Sequence, residues 1–273
     1  MRRAVAWLAL AGLALGACST GVDPSIVLAS SAQGIGVGQQ RILIAVTDLS
    51  TGDFLAAPGI DVVGTLRNTD GSPLDESAGR FLWALPDESG VYAFEFTIPE
   101  ADTFQVTVRS DEWGDVGPIG LVALEDPSVV GVGEEAPLSA TRTTATHPLE
   151  EITSDPNPDP SLYDMSIAEA VEEGPAVIVF STFVGCSDAC GTLLDQVKAL
   201  APGFAGIGFV HVDVYEDVSG DDAGLVAAVA EWGLPTEPWL FVIDASGTVR
   251  SRMEGAASDE ELESSIALVA PQK

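Results

Sequence analysis

This chain of 273 residues has little of what most chemistry draws on: three cysteines, two histidines and three methionines. Three cysteines cannot build the disulfide framework on which small secreted folds rest. Positive charge is equally scarce, with 11 Lys and Arg against 42 Asp and Glu, a formal net charge of -31. Such a surface repels nucleic acid and anionic lipid headgroups, so no nucleic-acid partner is expected. The excess acid reads as a solubility device or the mark of a salty habitat. A long apolar run is also missing. The only extended one near the start, Ala4 to Leu15, is too short for a comfortable membrane span. Disorder is excluded as well, because 46% of the residues are hydrophobic and can bury a core.

What is present begins with export. Met1-Arg2-Arg3 is a charged leader, Ala4 to Leu15 is its apolar stretch, and Leu15-Gly16-Ala17-Cys18 follows. That ending resembles a bacterial lipobox. The resemblance implies that residues 1–18 act as a lipoprotein signal peptide, cleaved before Cys18, which then carries lipid. The mature protein is expected on the extracytoplasmic face, in the periplasm or at the cell surface, with Cys18 its membrane anchor. Cys186 and Cys190 then remain as an isolated pair in an oxidising compartment.

Residues 24–125 read as one β domain. Candidate strands are Ser25–Ser31, Arg41–Thr47, Ile60–Arg67, Arg80–Leu85, Val91–Ile98, Thr103–Arg109 and Ile119–Glu125, separated by turn residues such as Asn68-Thr69-Asp70-Gly71. Alternation is clean where Tyr92, Phe94, Phe96 and Ile98 oppose Val91, Ala93, Glu95 and Thr97. About seven short strands without an amphipathic helix point to an immunoglobulin-like β-sandwich, serving as a spacer or a protein-binding module. Residues 126–162, dense in Pro, Gly and acid, read as an extended, semi-stiff linker. His147 falls there and reads as solvated.

Residues 163–273 open with a capping box, Ser166 to Glu169, and Gly174-Pro175 closes that helix. Ala176 to Phe180 is an unbroken, β-branched run and reads as a buried strand. Cys186 and Cys190 follow, at the junction with a helix whose apolar positions are Leu193, Leu194, Val197, Leu200 and Ala201. A separation of four places both cysteines on one helix face if the first turn is helical. A helix N-terminus offers free N–H groups and partial positive charge, which stabilise a thiolate. Further on, Ile207–Tyr215 and Trp239–Asp244 read as strands, Asp221–Trp232 as a helix and Thr248–Met253 as a returning strand. Ser258 to Glu261 opens a last helix. The order is α-β-α-β-α-β-β-α.

That order, with a cysteine pair after the first strand and a proline before the third, resembles the thioredoxin fold over roughly residues 162 to 270. The whole plan resembles thioredoxin-like lipoproteins of bacteria, so the expected fold class is two domains, an all-β immunoglobulin-like sandwich followed by an α/β thioredoxin-like fold. Pro238, preceded by Glu237, matches the family's cis-proline by its distance to Ile243-Asp244, with Pro235 competing for the role. The resemblance implies a redox-active disulfide and a part in cell redox homeostasis. Three departures stand against it. Three residues separate the cysteines where thioredoxins have two, Phe183-Val184-Gly185 replaces the usual Trp context, and Phe180 stands where a buried acid is common.

Three chemistries are in play. In thiol–disulfide exchange, Cys186 is the attacking sulfur and Cys190 resolves the mixed disulfide, with a protein thiol or disulfide as substrate. Pro238 would dock the substrate, and Glu237 would stand in for the missing proton acceptor. Asp188 and Glu237 disfavour the thiolate, which points to a reducing poise. This oxidoreductase needs no cofactor. In the second reading, Cys-x-x-x-Cys resembles the copper-delivering Sco family, and Cys186, Cys190 and His211 would bind the metal. His211 sits mid-strand, however, where a structural role fits better. The third reading is a binding lipoprotein with a static disulfide. A peroxidase is disfavoured because no Thr precedes Cys186 at the needed spacing. The acidic run Glu216 to Asp222 lacks calcium-loop spacing. Oligomeric state is not readable.

Overall fold

The computed structural model describes residues 22–183, 189–219 and 224–271. Eight strands come first: β1 (Pro24–Leu28), β2 (Gly38–Asp48), β3 (Val62–Arg67), β4 (Pro73–Ala78), β5 (Arg80–Leu85), β6 (Ser89–Ile98), β7 (Thr103–Ser110) and β8 (Gly114–Val122). They form two antiparallel sheets, ordered β1-β2-β6-β5 and β4-β3-β7-β8. Successive strand residues point to opposite faces. Tyr92, Phe94, Phe96 and Ile98 therefore turn together into one core, where Ile42 and Ile44 join them and Leu66, Phe104, Val106 and Val108 meet them from the other sheet. The result is a β-sandwich. Its unforeseen eighth strand, β4, has the polar sequence PLDESA. It lies at a sheet edge, where Ser77 Oγ accepts from Glu95 N–H at 2.9 Å and an Asp75 carboxylate oxygen from Thr97 N–H at 2.8 Å.

The second half holds α1 (Ile167–Glu173), β9 (Ala176–Phe180), α2 (Ala189–Leu200), β10 (Gly208–Val212), α3 (Ala227–Glu231), β11 (Trp239–Ile243), β12 (Val249–Glu254) and α4 (Asp259–Ala267). Both expected capping boxes form, Ser166 with Glu169 and Ser258 with Glu261. Strand β9 is central, parallel to β10 and antiparallel to β11, which carries β12 at the edge. Burial on both faces explains its unbroken apolar run. One face packs Ile178, Phe180 and Phe241 against Ile167 and Val171 of α1 and Val229 of α3. The other packs Val177, Val179, Leu240 and Val242 against Leu194 and Val197 of α2 and Leu262 and Ile266 of α4. Among the described residues no helix is long and apolar enough to cross a membrane.

Two expectations are corrected here. The plan of a sandwich followed by an α/β thioredoxin-like domain gives way to three four-stranded sheets with few, short helices. Among the described residues the four α-helices have 7, 12, 5 and 9 residues, and within the stretch read as a helix over Asp221–Trp232 the described helix is Ala227–Glu231. Strand pairing thus carries most of the architecture. The second correction concerns residues 126–162. They do not stand as an extended linker apart from the domains; they lie along the second half, with Val129, Ala136, Ser139, Ile152 and Asp155 buried. Gly133 N–H donates to Val249 O at 2.8 Å, and Trp232 Nε1–H donates to Ser139 Oγ at 3.2 Å.

The two halves also touch directly. Leu43, Ala45, Leu82, Val91 and Ala93, on the outer face of the first sheet, are buried beside Ala256. Arg41 donates to the Glu254 and Ala256 carbonyls at 3.1 and 2.5 Å and forms an ion pair with Glu261 at 2.8 Å.

Candidate thiol site at the open end of the third sheet

The site is organised by where β9 stops. After Phe180 the chain continues through Ser181, Thr182 and Phe183 toward Cys186. Cys186 and Cys18 lie outside the described residues. Cys190 stands in the first turn of α2, where only its backbone is described. The N-terminus of a helix carries free N–H groups and partial positive charge, which favour a thiolate.

Strand β11 enters the sheet with Trp239 opposite Phe180. The two residues before it, Glu237 and Pro238, are joined by a cis peptide bond and so fall beside Ser181 and Thr182. The Thr182 backbone N–H donates to the Glu237 carboxylate. The second carboxylate oxygen, Oε2, is buried and has no hydrogen-bond partner among the described residues. Burial pushes the Glu237 carboxyl up to about 7. The Thr182 N–H opposes this, and the negative charge of Asp213 adds to it. A half-buried carboxyl near neutrality is suited to accept and return a proton.

Under this end of the sheet lies a polar cluster that the sequence reading missed. Asp213 is 3% exposed. Its Oδ2 accepts from the Ser154 N–H at 2.8 Å and the Ser154 hydroxyl at 2.5 Å. Ser154 Oγ also lies 3.1 Å from Thr182 Oγ1 and accepts from Phe183 N–H at 2.9 Å. One serine from the supposed linker thus ties Asp213 to the start of the cysteine segment. The signal was present in Phe209-Val210-His211-Val212-Asp213. Two polar residues two apart share one face of a strand, and buried polar groups need partners.

His211 is buried, with both ring nitrogens engaged. Nδ1 lies 2.7 Å from Tyr163 Oη, and Nε2 lies 3.1 Å from both Ser181 Oγ and Ser181 O. Burial holds its pKa well below the ordinary histidine range, against the pull of Asp213. The Tyr163 hydroxyl is raised by burial as well. A ring bonded at both nitrogens presents no free lone pair to a metal. Among the described residues no group of three His, Cys, Asp or Glu side chains could hold a metal ion. His147 bonds only locally, Nδ1 to Thr146 Oγ1 at 2.9 Å.

No family model matches the chain, and no curated protein does. Among solved structures it is similar to the Lin-41 filamin domain, at 18% identity over 38% of this chain and 94% of that one, with a TM-score of 0.25. It is also similar to the CARDB domain of the PF1109 protein from Pyrococcus furiosus, at 12% identity over 38% and 89%, TM-score 0.23. A third is the lipoprotein from Bacteroides thetaiotaomicron, at 16% identity over 37% and 78%, TM-score 0.19. The first two are immunoglobulin-like neighbours, in keeping with the sandwich, and they are not thioredoxins. The assignment to a thioredoxin-like lipoprotein family is overturned by the three four-stranded sheets with few, short helices described above. At these TM-scores the likenesses carry no argument about function.

Proposed function

We propose that the protein exchanges thiols and disulfides through Cys186 and Cys190, in an exported chain anchored by lipid on Cys18. The observation that carries the reading is Glu237, a half-buried carboxyl near neutrality, bonded to Thr182 a few residues before Cys186. In the reducing direction, the Cys186 thiol gives its proton to Glu237. The thiolate attacks one sulfur of a substrate disulfide and the other substrate sulfur leaves as a thiolate. Cys190, its thiol proton passing to the departing sulfur, then attacks Cys186, closes the Cys186–Cys190 disulfide and expels the second substrate sulfur. Two electrons pass to the substrate, whose thiolates take up two protons, and an external dithiol donor restores the pair.

Direction is read from charge. Asp188, between the two cysteines in sequence, and Glu237 are acids that disfavour a thiolate and so favour the disulfide form of the protein. The pair is then a reductant. Equilibration with glutathione redox buffers tests this. The expected potential lies nearer about −270 mV than about −120 mV. A potential at the oxidising end removes the reductase reading, and a pair that no dithiol reduces removes exchange altogether. A tight one-to-one Cu(I) complex lost in Cys186→Ser would replace it by metal delivery.

A further inference from the structure

The sandwich reads from the sequence as a spacer or a protein-binding module, yet one of its turns reaches the segment that carries Glu237. Ser31 caps the short 3-10 turn Ala32–Gly34 between β1 and β2. Its backbone N–H donates to both carboxylate oxygens of Glu254, at 3.0 and 2.8 Å. At the other end of the turn, Gly34 O accepts from Arg252 Nη2 at 2.5 Å. Arg252 and Glu254 stand two apart on β12, so they leave the same face of the strand.

The same two side chains hold the approach to β11. Glu254 Oε1 accepts from Thr236 Oγ1 at 2.7 Å, and Thr236 Oγ1 accepts from Trp239 Nε1–H at 3.2 Å. The Arg252 guanidinium lies 6.0 Å from the centre of a Trp239 ring, within reach of a cation–π contact. Trp239 in turn packs on Gly34. A Cβ at that glycine would stand 2.9 Å from the indole, so only a residue without a side chain lets the turn approach. Arg252 also donates to Val129 O and Val130 O at 2.8 and 3.0 Å, which pins the connecting stretch to the same corner.

Thr236 and Trp239 flank Glu237 and Pro238. We infer that the sandwich is a positioning part of the candidate site: its Ser31–Gly34 turn, acting through Glu254 and Arg252, holds the Thr236–Trp239 segment and so sets where the Glu237 carboxyl stands. The inference rests on the thiol-exchange reading for its consequence but not for its geometry. Ser31, Thr236, Arg252 and Glu254 are positioning residues.

The test uses the full-length protein and two substitutions on opposite sides of the relay. Ser31→Pro deletes the N–H given to Glu254, at a position whose φ of -73° suits proline. Thr236→Val deletes the hydroxyl on the other side and leaves the sandwich untouched. Gln33→Ala, at an exposed position of the same turn, is the control. Two quantities are read: the pH profile of the reaction between reduced protein and dipyridyl disulfide, and the titration of Glu237 by isotope-edited NMR. Both variants are expected to react about tenfold more slowly at neutral pH. Their Glu237 titration moves about one unit toward the ordinary glutamate range, and Gln33→Ala matches the parent. Parent-like rates and titration in both folded variants overturn the inference. If the parent itself exchanges no disulfide, the thiol reading fails separately, and the Glu237 titration alone decides. A shift in both variants then upholds the positioning role, and no shift ends it.

Discussion

Ser154 and Asp213 meet through two hydrogen bonds, the serine N–H at 2.8 Å and its hydroxyl at 2.5 Å, both to the same carboxylate oxygen. They are 59 residues apart in sequence. The contact joins the stretch read as a linker to the strand beside the candidate site. Ser154→Ala removes the hydroxyl and leaves a buried acid with poorer solvation. The expected loss is about 1–3 kcal/mol of stability, read from urea denaturation midpoints. An unchanged midpoint would show that Asp213 is satisfied without this residue.

Glu237 carries a pH signature with a definite sign. Its folded pKa of about 7 lies above the unfolded value of 4.5. Between those values the folded chain binds more protons than the unfolded one, so this group's contribution to stability falls as pH rises from 4.5 to 7. Glu237→Gln is expected to abolish that component of the slope. It should also flatten the rise of disulfide-exchange rate near neutral pH, with a loss of about a hundredfold. Identical pH profiles for parent and variant would remove Glu237 from proton transfer.

His211 has the opposite sign. Its folded pKa is depressed from 6.5 by burial, so below that value the unfolded chain takes up the proton first. Stability is present above pH 6.5 and drains away as the solution turns acid. Tyr163→Phe removes the hydroxyl 2.7 Å from Nδ1 and leaves a buried nitrogen unsatisfied, at an expected cost of about 1–3 kcal/mol. Calorimetry at two pH values on either side of 6.5 reads both effects. Equal stability of parent and variant would argue that the ring finds another partner.

The junction between the halves should make unfolding a single event. Arg41 reaches two carbonyls and Glu261, and Leu43 and Val91 are buried at the same boundary. The parent is expected to show one calorimetric transition, and Arg41→Ala two, because of its two arginine partners among the described residues Glu261 then keeps Arg80 alone. Two transitions in the parent would mean that the halves fold independently.

Local pattern made much of this legible. Period-two alternation marked β6, and an unbroken β-branched run marked β9. The two capping boxes were readable because a cap is settled within four residues. Strand β4 escaped because its residues are polar and its place at an edge is decided by neighbours. Val91 and Ala93, apolar on what looked like the solvent face, and the pair His211 and Asp213 in an apolar strand were signals left unread. The thioredoxin resemblance overreached, since an element order and a cysteine pair do not make a family.

By itself the sequence determined most of the strands, both capping boxes and which residue types were on hand for thiol chemistry, since these depend on contacts between near neighbours. The tertiary structure decided that Glu237 lies against Thr182, that Ser154 returns to Asp213, and that a sandwich turn clamps the β11 approach. Each joins residues tens to hundreds apart through hydrogen bonds, several of them partly buried. Such bonds form only after chain closure has brought the partners together and water has been excluded, and no local pattern encodes that step.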